Sequence, residues 1–222
     1  MVWAALIASV LLPAVALGPR EVSFPTPDGG LIYADLYGGG SRALILAHGG
    51  RFDRHSWSKQ ANALADAGFL ALAIDFRGEG ESHGVPGHPS SDDDRRFDVL
   101  GAIHYLRAAG ARSVSIIGAS MGGDYAAEAA EAEPDAIDRL VLLASGAYTP
   151  VIHFKGRKLF LLARDDANAD GPRLPKIRAQ YDKAAEPKQM IVVDGSAHAQ
   201  FLFDTAQGER VWQEIVRFLT AP

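Results

Sequence analysis

Ser120 lies in Gly118-Ala119-Ser120-Met121-Gly122, a serine hydroxyl flanked on both sides by small residues. A nucleophile on a sharp strand-to-helix turn sits in strained backbone, and only small flanking residues permit the close approach this needs. The bare pattern is modest evidence in a chain of this glycine content, so its surroundings carry the weight. Here the apolar run Val114-Ser115-Ile116-Ile117 precedes it and the helix formers Tyr125-Ala126-Ala127-Glu128-Ala129 follow. A hydroxyl is a poor nucleophile at its own pKa and needs a neighbouring base, for which imidazole is suited. Of seven histidines, His198 follows the last apolar run, Met190–Val193, and comes after the serine in chain order. His48 lies in a His-Gly turn, and His55, His83 and His88 fall in polar loops. His104 sits on a helix face, and His153 precedes a short basic stretch. No two histidines pair at metal-ligand spacing with a convincing partner, so no metal is expected.

A carboxylate should orient the imidazole, arriving between the serine and the histidine at the end of a strand. Asp165 and Asp166 both qualify by position. A tetrahedral oxyanion requires two aimed backbone donors, and the residue after the nucleophile, Met121, supplies one at the start of a helix. The second is expected after His48-Gly49-Gly50.

These residues need a scaffold that brings several strand ends together. Short apolar runs alternate with amphipathic stretches, which predicts an α/β domain with a mostly parallel sheet covered on both faces. Residues 21–24 and 31–36 flank Pro27-Asp28-Gly29-Gly30 and read as an antiparallel hairpin at the sheet edge. Strands are expected at 43–47, 69–74, 113–117, 140–144, 159–163 and 190–193. Helices are expected at 56–67, 97–106, 125–132, 177–185 and 211–219.

The chain has 222 residues, 48% of them apolar, which is enough for one domain with a sizeable core. It contains no cysteine, which excludes disulfides, thiolate zinc sites and a thiol nucleophile. The net charge of −5 is spread along the chain and gives no reason to expect a nucleic-acid partner. Residues 2–17 carry no charge and include Ala14-Val15-Ala16, a small-residue cleavage pattern, although a positive start is missing. Residues 1–18 therefore read as a signal peptide or N-terminal hydrophobic segment and 19–222 as a single domain. Export to the periplasm or beyond is expected if the segment is a signal. Membrane contact follows only if it stays uncleaved, and a cytoplasmic place only if it is no signal.

Four separated stretches, taken in order, resemble the α/β-hydrolase family: His48-Gly49-Gly50, Asp75-Phe76-Arg77-Gly78-Glu79-Gly80-Glu81-Ser82, Gly118-Ala119-Ser120-Met121-Gly122-Gly123 and Gly195-Ser196-Ala197-His198. The resemblance covers about residues 22–219. It implies the α/β-hydrolase fold with about eight strands. It also implies Asp166 as the acid, because Ala163-Arg164-Asp165-Asp166 follows the family's Gly-x-x-Asp with Ala for Gly, and Asp165 stands as the alternative. It implies the amide of Gly50 as the second oxyanion donor, with Arg51 as the alternative for a longer turn. Asp75-x-Arg77-Gly78-x-Gly80-x-Ser82 is read as shaping a loop. Only residues 145–158 separate two strands where relatives insert a cap, so no sizeable cap domain is expected. The implied activity is cofactor-free hydrolysis of carboxylic esters through an acyl-enzyme on a small-molecule or acyl ester substrate. Thioesterase, peptidase or polyester-hydrolase activity on the same triad, or a non-catalytic binding role, are the alternatives.

Overall fold

The structure, a computed structural model, describes residues 18–88, 91–146 and 148–222. The hydrophobic N-terminal segment, apart from Gly18, lies outside them. Eight strands form one sheet: β1 (Arg20–Pro25), β2 (Leu31–Gly38), β3 (Arg42–Ala47), β4 (Leu70–Ile74), β5 (Ser113–Ala119), β6 (Arg139–Leu143), β7 (Arg157–Ala163) and, last in sequence, β10 (Lys188–Val193). Their spatial order is β1-β2-β4-β3-β5-β6-β7-β10. β2 pairs antiparallel with both β1 and β4, and the remaining pairs are parallel. The edge hairpin and the parallel remainder match expectation.

The continuous apolar strands follow from burial on both faces. In β3, Ala43, Ile45 and Ala47 pack into one core layer while Leu44 and Leu46 pack into the other. Likewise Phe160 and Leu162 of β7 face one layer and Leu159, Leu161 and Ala163 its opposite. Helices α2 (Arg95–Ala108), α3 (Met121–Ala132) and α4 (Arg173–Lys183) cover the first layer, and α1 (Ser58–Asp66) and α5 (Gly208–Thr220) the second. Each fully buried Leu or Ile stabilises the sandwich by about 1.5–3 kcal/mol.

Several element bounds differ from the sequence reading, helix α3 for instance starting at Met121 rather than 125, and two differences lie just after β7. A small hairpin, β8 (Ala167–Asn168) with β9 (Gly171–Pro172), follows β7, closed by Asp170 N–H donating to Asn168 Oδ1 at 3.0 Å. Helix α4 also begins at Arg173 and ends at Lys183, earlier at both ends than expected. Extended Pro172 starts it, and Ala184 turns extended shortly before Pro187. Between β6 and β7 no described residue is helical, and among the described residues no cap domain covers the strand ends.

Candidate active site

Ser120 stands where β5 ends and α3 begins, with φ 47° and ψ −119°. A non-glycine residue at positive φ costs on the order of 1–3 kcal/mol and persists only where its surroundings hold it. They do so here: Ser120 N–H donates to Leu143 O at 2.9 Å, and Gly123 N–H and Asp124 N–H donate to Ser120 O at 2.9 and 3.1 Å. The glycines serve close approach. A Cβ on Gly118 would lie 2.5 Å from Gly123 Cα, and one on Gly122 would strike the carbonyls of Ala47 and His48. Helix α3 can therefore start directly over the ends of β3 and β5.

His198 lies in the segment after β10, with Nε2 2.7 Å from Ser120 Oγ and Nδ1 2.7 Å from Asp166 Oδ2. These partners assign the tautomer: Nδ1–H donates to the carboxylate, leaving Nε2 to accept from the serine hydroxyl. Asp166 is 1% exposed, just past the end of β7. Asp165 faces solvent, and only its backbone is engaged, with N–H donating to Gly195 O at 2.9 Å. Of the two adjacent aspartates, the structure brings Asp166 to the histidine.

The turn after β3 closes with Phe52 N–H donating to Gly49 O at 3.0 Å. Within it Gly50 sits over Met121, close enough that a Cβ on Gly50 would lie 3.6 Å from Met121 Sδ. Gly50 thus neighbours the side chain of Met121, the residue after Ser120, and Arg51 lies exposed in the same turn. Two open clefts flank this point. One of about 420 Å³ is lined by Ser120, Met121, Tyr125, Tyr148, Glu128 and Arg173 among others. The other, of about 650 Å³, is lined by Gly50, Arg51, Phe52, His55 and Glu79 among others.

The remaining histidines described make other contacts. His48 is fully buried; its Nδ1–H donates to Gly49 O at 2.9 Å and its Nε2 accepts from Phe76 N–H at 3.3 Å. Burial pushes its pKa down, so it stays neutral and pins the end of β3 to the residues after β4. His104 pairs with Glu133 and His153 with Glu131 at the surface. Among the described residues no group of three or more His, Asp or Glu is placed to hold a metal ion. The Asp75–Ser82 stretch shapes loops as expected. Arg77 Nε donates to Asp98 at 2.8 Å, and its Nη1 and Nη2 donate to Asp28 at 2.7 and 3.0 Å.

Two residues near the site were not foreseen. Arg173 Nε lies 3.4 Å from Asp166 Oδ1, and its N–H donates to Asp166 O at 2.9 Å. Gln200 Oε1 accepts from Gly49 N–H at 3.0 Å while Nε2 donates to Ser56 Oγ at 2.7 Å. Gln200 meets residues about 150 positions away, and Arg173 reaches Asp166 across the unforeseen hairpin. No local pattern could have signalled either contact.

Residues 40–164 match the family model described as serine aminopeptidase, S33. A 2-hydroxy-6-oxononadienedioate/2-hydroxy-6-oxononatrienedioate hydrolase of Burkholderia vietnamiensis is 29% identical over 116 residues, 51% of this chain and 39% of that protein. A non-heme chloroperoxidase, CPO-A1, of Kitasatospora aureofaciens is 34% identical over 98 residues, 44% of this chain and 34% of its own. The chain thus spans well under half the length of these curated relatives. Among solved structures, an esterase of Pyrococcus furiosus superposes with a TM-score of 0.75 at 17% identity, covering 90% of this chain and 93% of that one. An esterase of Exiguobacterium antarcticum does so with a TM-score of 0.73 at 14% identity, covering 91% and 100%. These two share the fold. With a family match across more than half its length added to this architecture, the chain belongs to the serine aminopeptidase S33 family of α/β hydrolases.

Proposed function

We propose that the protein is a serine hydrolase that cleaves carboxylic esters through an acyl-enzyme. The observation that carries this reading is the unbroken line Ser120 Oγ, His198 Nε2, His198 Nδ1, Asp166 Oδ2, with both contacts at 2.7 Å. Ser120 Oγ attacks the ester carbonyl while His198 Nε2 takes the hydroxyl proton. Asp166 holds the ring in the tautomer that leaves Nε2 free and stabilises the imidazolium that forms. The amides of Gly50 and Met121 receive the oxyanion. Arg51 is the alternative to Gly50. As the tetrahedral adduct collapses, Nε2 returns the proton to the leaving alcohol, and a water activated by the same nitrogen then hydrolyses the acyl-serine. The chemistry needs no cofactor.

The esterase neighbours and the hydrolase relative support an acyl or small-molecule substrate, and the absence of a cap among the described residues leaves the site open to one. The test is turnover of p-nitrophenyl acetate and butyrate beside an aminoacyl p-nitroanilide. Wild-type protein is expected to hydrolyse the esters, with Ser120→Ala slower by roughly a millionfold. Ester turnover undiminished in Ser120→Ala refutes the assignment. Turnover confined to the anilide redirects it to peptide substrates.

A further inference from the structure

Gln200 lies two residues beyond His198, in the short 3-10 helix Ala199–Asp204, and is 5% exposed. Its amide bridges two segments that meet only through the fold. Oε1 accepts from the buried N–H of Gly49, the residue before the proposed oxyanion donor, and Nε2 donates to Ser56 Oγ. Ser56 Oγ in turn donates to Asp53 O at 2.6 Å, so one side chain ties both ends of the segment from Gly49 to Ser56. The neighbouring residues reinforce the seam, with the Phe201 and Phe52 rings 4.9 Å apart between centroids. A Cβ on Gly49 would lie 3.2 Å from Gln200 Oε1, so the amide packs closely against the turn.

We propose that Gln200 is a positioning residue that couples the base to the oxyanion turn. It sets the direction of the Gly50 amide relative to Ser120 while itself touching no substrate; this rests on the reading of Ser120 as nucleophile. An oxyanion donor works only when aimed at where the charge develops, and a mis-aimed one loses transition-state binding without losing ground-state binding. The buried Gly49 N–H accounts for the choice of side chain, because it needs an acceptor that a hydrocarbon cannot supply.

The experiment compares Gln200→Leu with Gln200→Glu, which keeps the acceptor for Gly49. In Gln200→Leu, kcat on p-nitrophenyl butyrate is expected to fall roughly 10- to 100-fold with KM within about twofold, and Gln200→Glu to recover most of it. Amide hydrogen exchange read by NMR gives a measure independent of turnover. The Gly49 amide should lose protection in Gln200→Leu and keep it in Gln200→Glu, with core strand amides unchanged in both. Unchanged kcat and unchanged Gly49 exchange in Gln200→Leu overturn the proposal. So does a loss of activity that Gln200→Glu fails to restore. Ester turnover surviving in Ser120→Ala would strike the underlying reading instead, while the Gly49 exchange still decides whether Gln200 holds the turn.

Discussion

Asp98 and Asp166 are both almost completely buried, at 0% and 1% exposure, yet their partners differ in kind. Asp98 faces a permanent cation. Arg77 Nη2 lies 2.7 Å from Oδ1, and Arg77 N–H donates to Oδ2 at 2.9 Å. The other side of the same guanidinium is filled by Asp28. Asp166 faces an imidazole, which can gain or lose a proton, through Oδ2, while its Oδ1 accepts no hydrogen bond and has Arg173 Nε at the longer distance of 3.4 Å. A carboxylate closed on arginine has nothing to exchange, so the cluster can only fix the loops that carry Asp28, Arg77 and Asp98. A carboxylate on histidine keeps a proton in play, which is what the proposed hydrolysis requires.

That contrast predicts losses of different kinds. Asp166→Asn should lower kcat by roughly 10⁴-fold while leaving the urea unfolding midpoint nearly unchanged, because the wrong tautomer is stabilised in an intact fold. Asp165→Asn should leave kcat within about twofold, since its side chain is exposed. Equal losses in the two variants would erase the distinction between the adjacent aspartates. Arg77→Met should act the other way, costing about 3–5 kcal/mol of stability in urea titrations by stranding a buried carboxylate. The molecules that remain folded should keep their kcat.

The smallest effect concerns pH. Hydrogen bonds from Arg77 hold Asp28 down at about 2. A folded-state value below that of the unfolded chain means that Asp28 stabilises the fold above the unfolded value of about 3.9 and loses this contribution as pH falls towards 2. Urea titrations at pH 5 and pH 2.5 should therefore show a steeper loss in wild type than in Asp28→Asn. Parallel losses in the two would remove Asp28 from the acid sensitivity.

Much of this organisation is legible in the sequence where the causes are local. Ser120 declares itself because a strand, small residues and a helix must adjoin it, and β3 to β7 do so because burial on both faces demands unbroken apolar runs. Asp165 and Asp166 stand in the same local context. Only the path of the chain after β7 decides which one turns inward, and the β8–β9 hairpin that shapes this path is two residues per strand, too short to leave a pattern. Arg173 and Gln200 take their roles from contacts across the fold, and neither residue type announces them.

The central claim is that Ser120 is an activated nucleophile, and covalent capture tests it most directly. Folded protein treated with a fluorophosphonate and mapped by mass spectrometry is expected to carry one adduct, on Ser120. The adduct should be absent in Ser120→Ala and strongly slowed in His198→Gln. An unlabelled Ser120 in protein that still turns over esters, or an adduct on a different serine, contradicts the account.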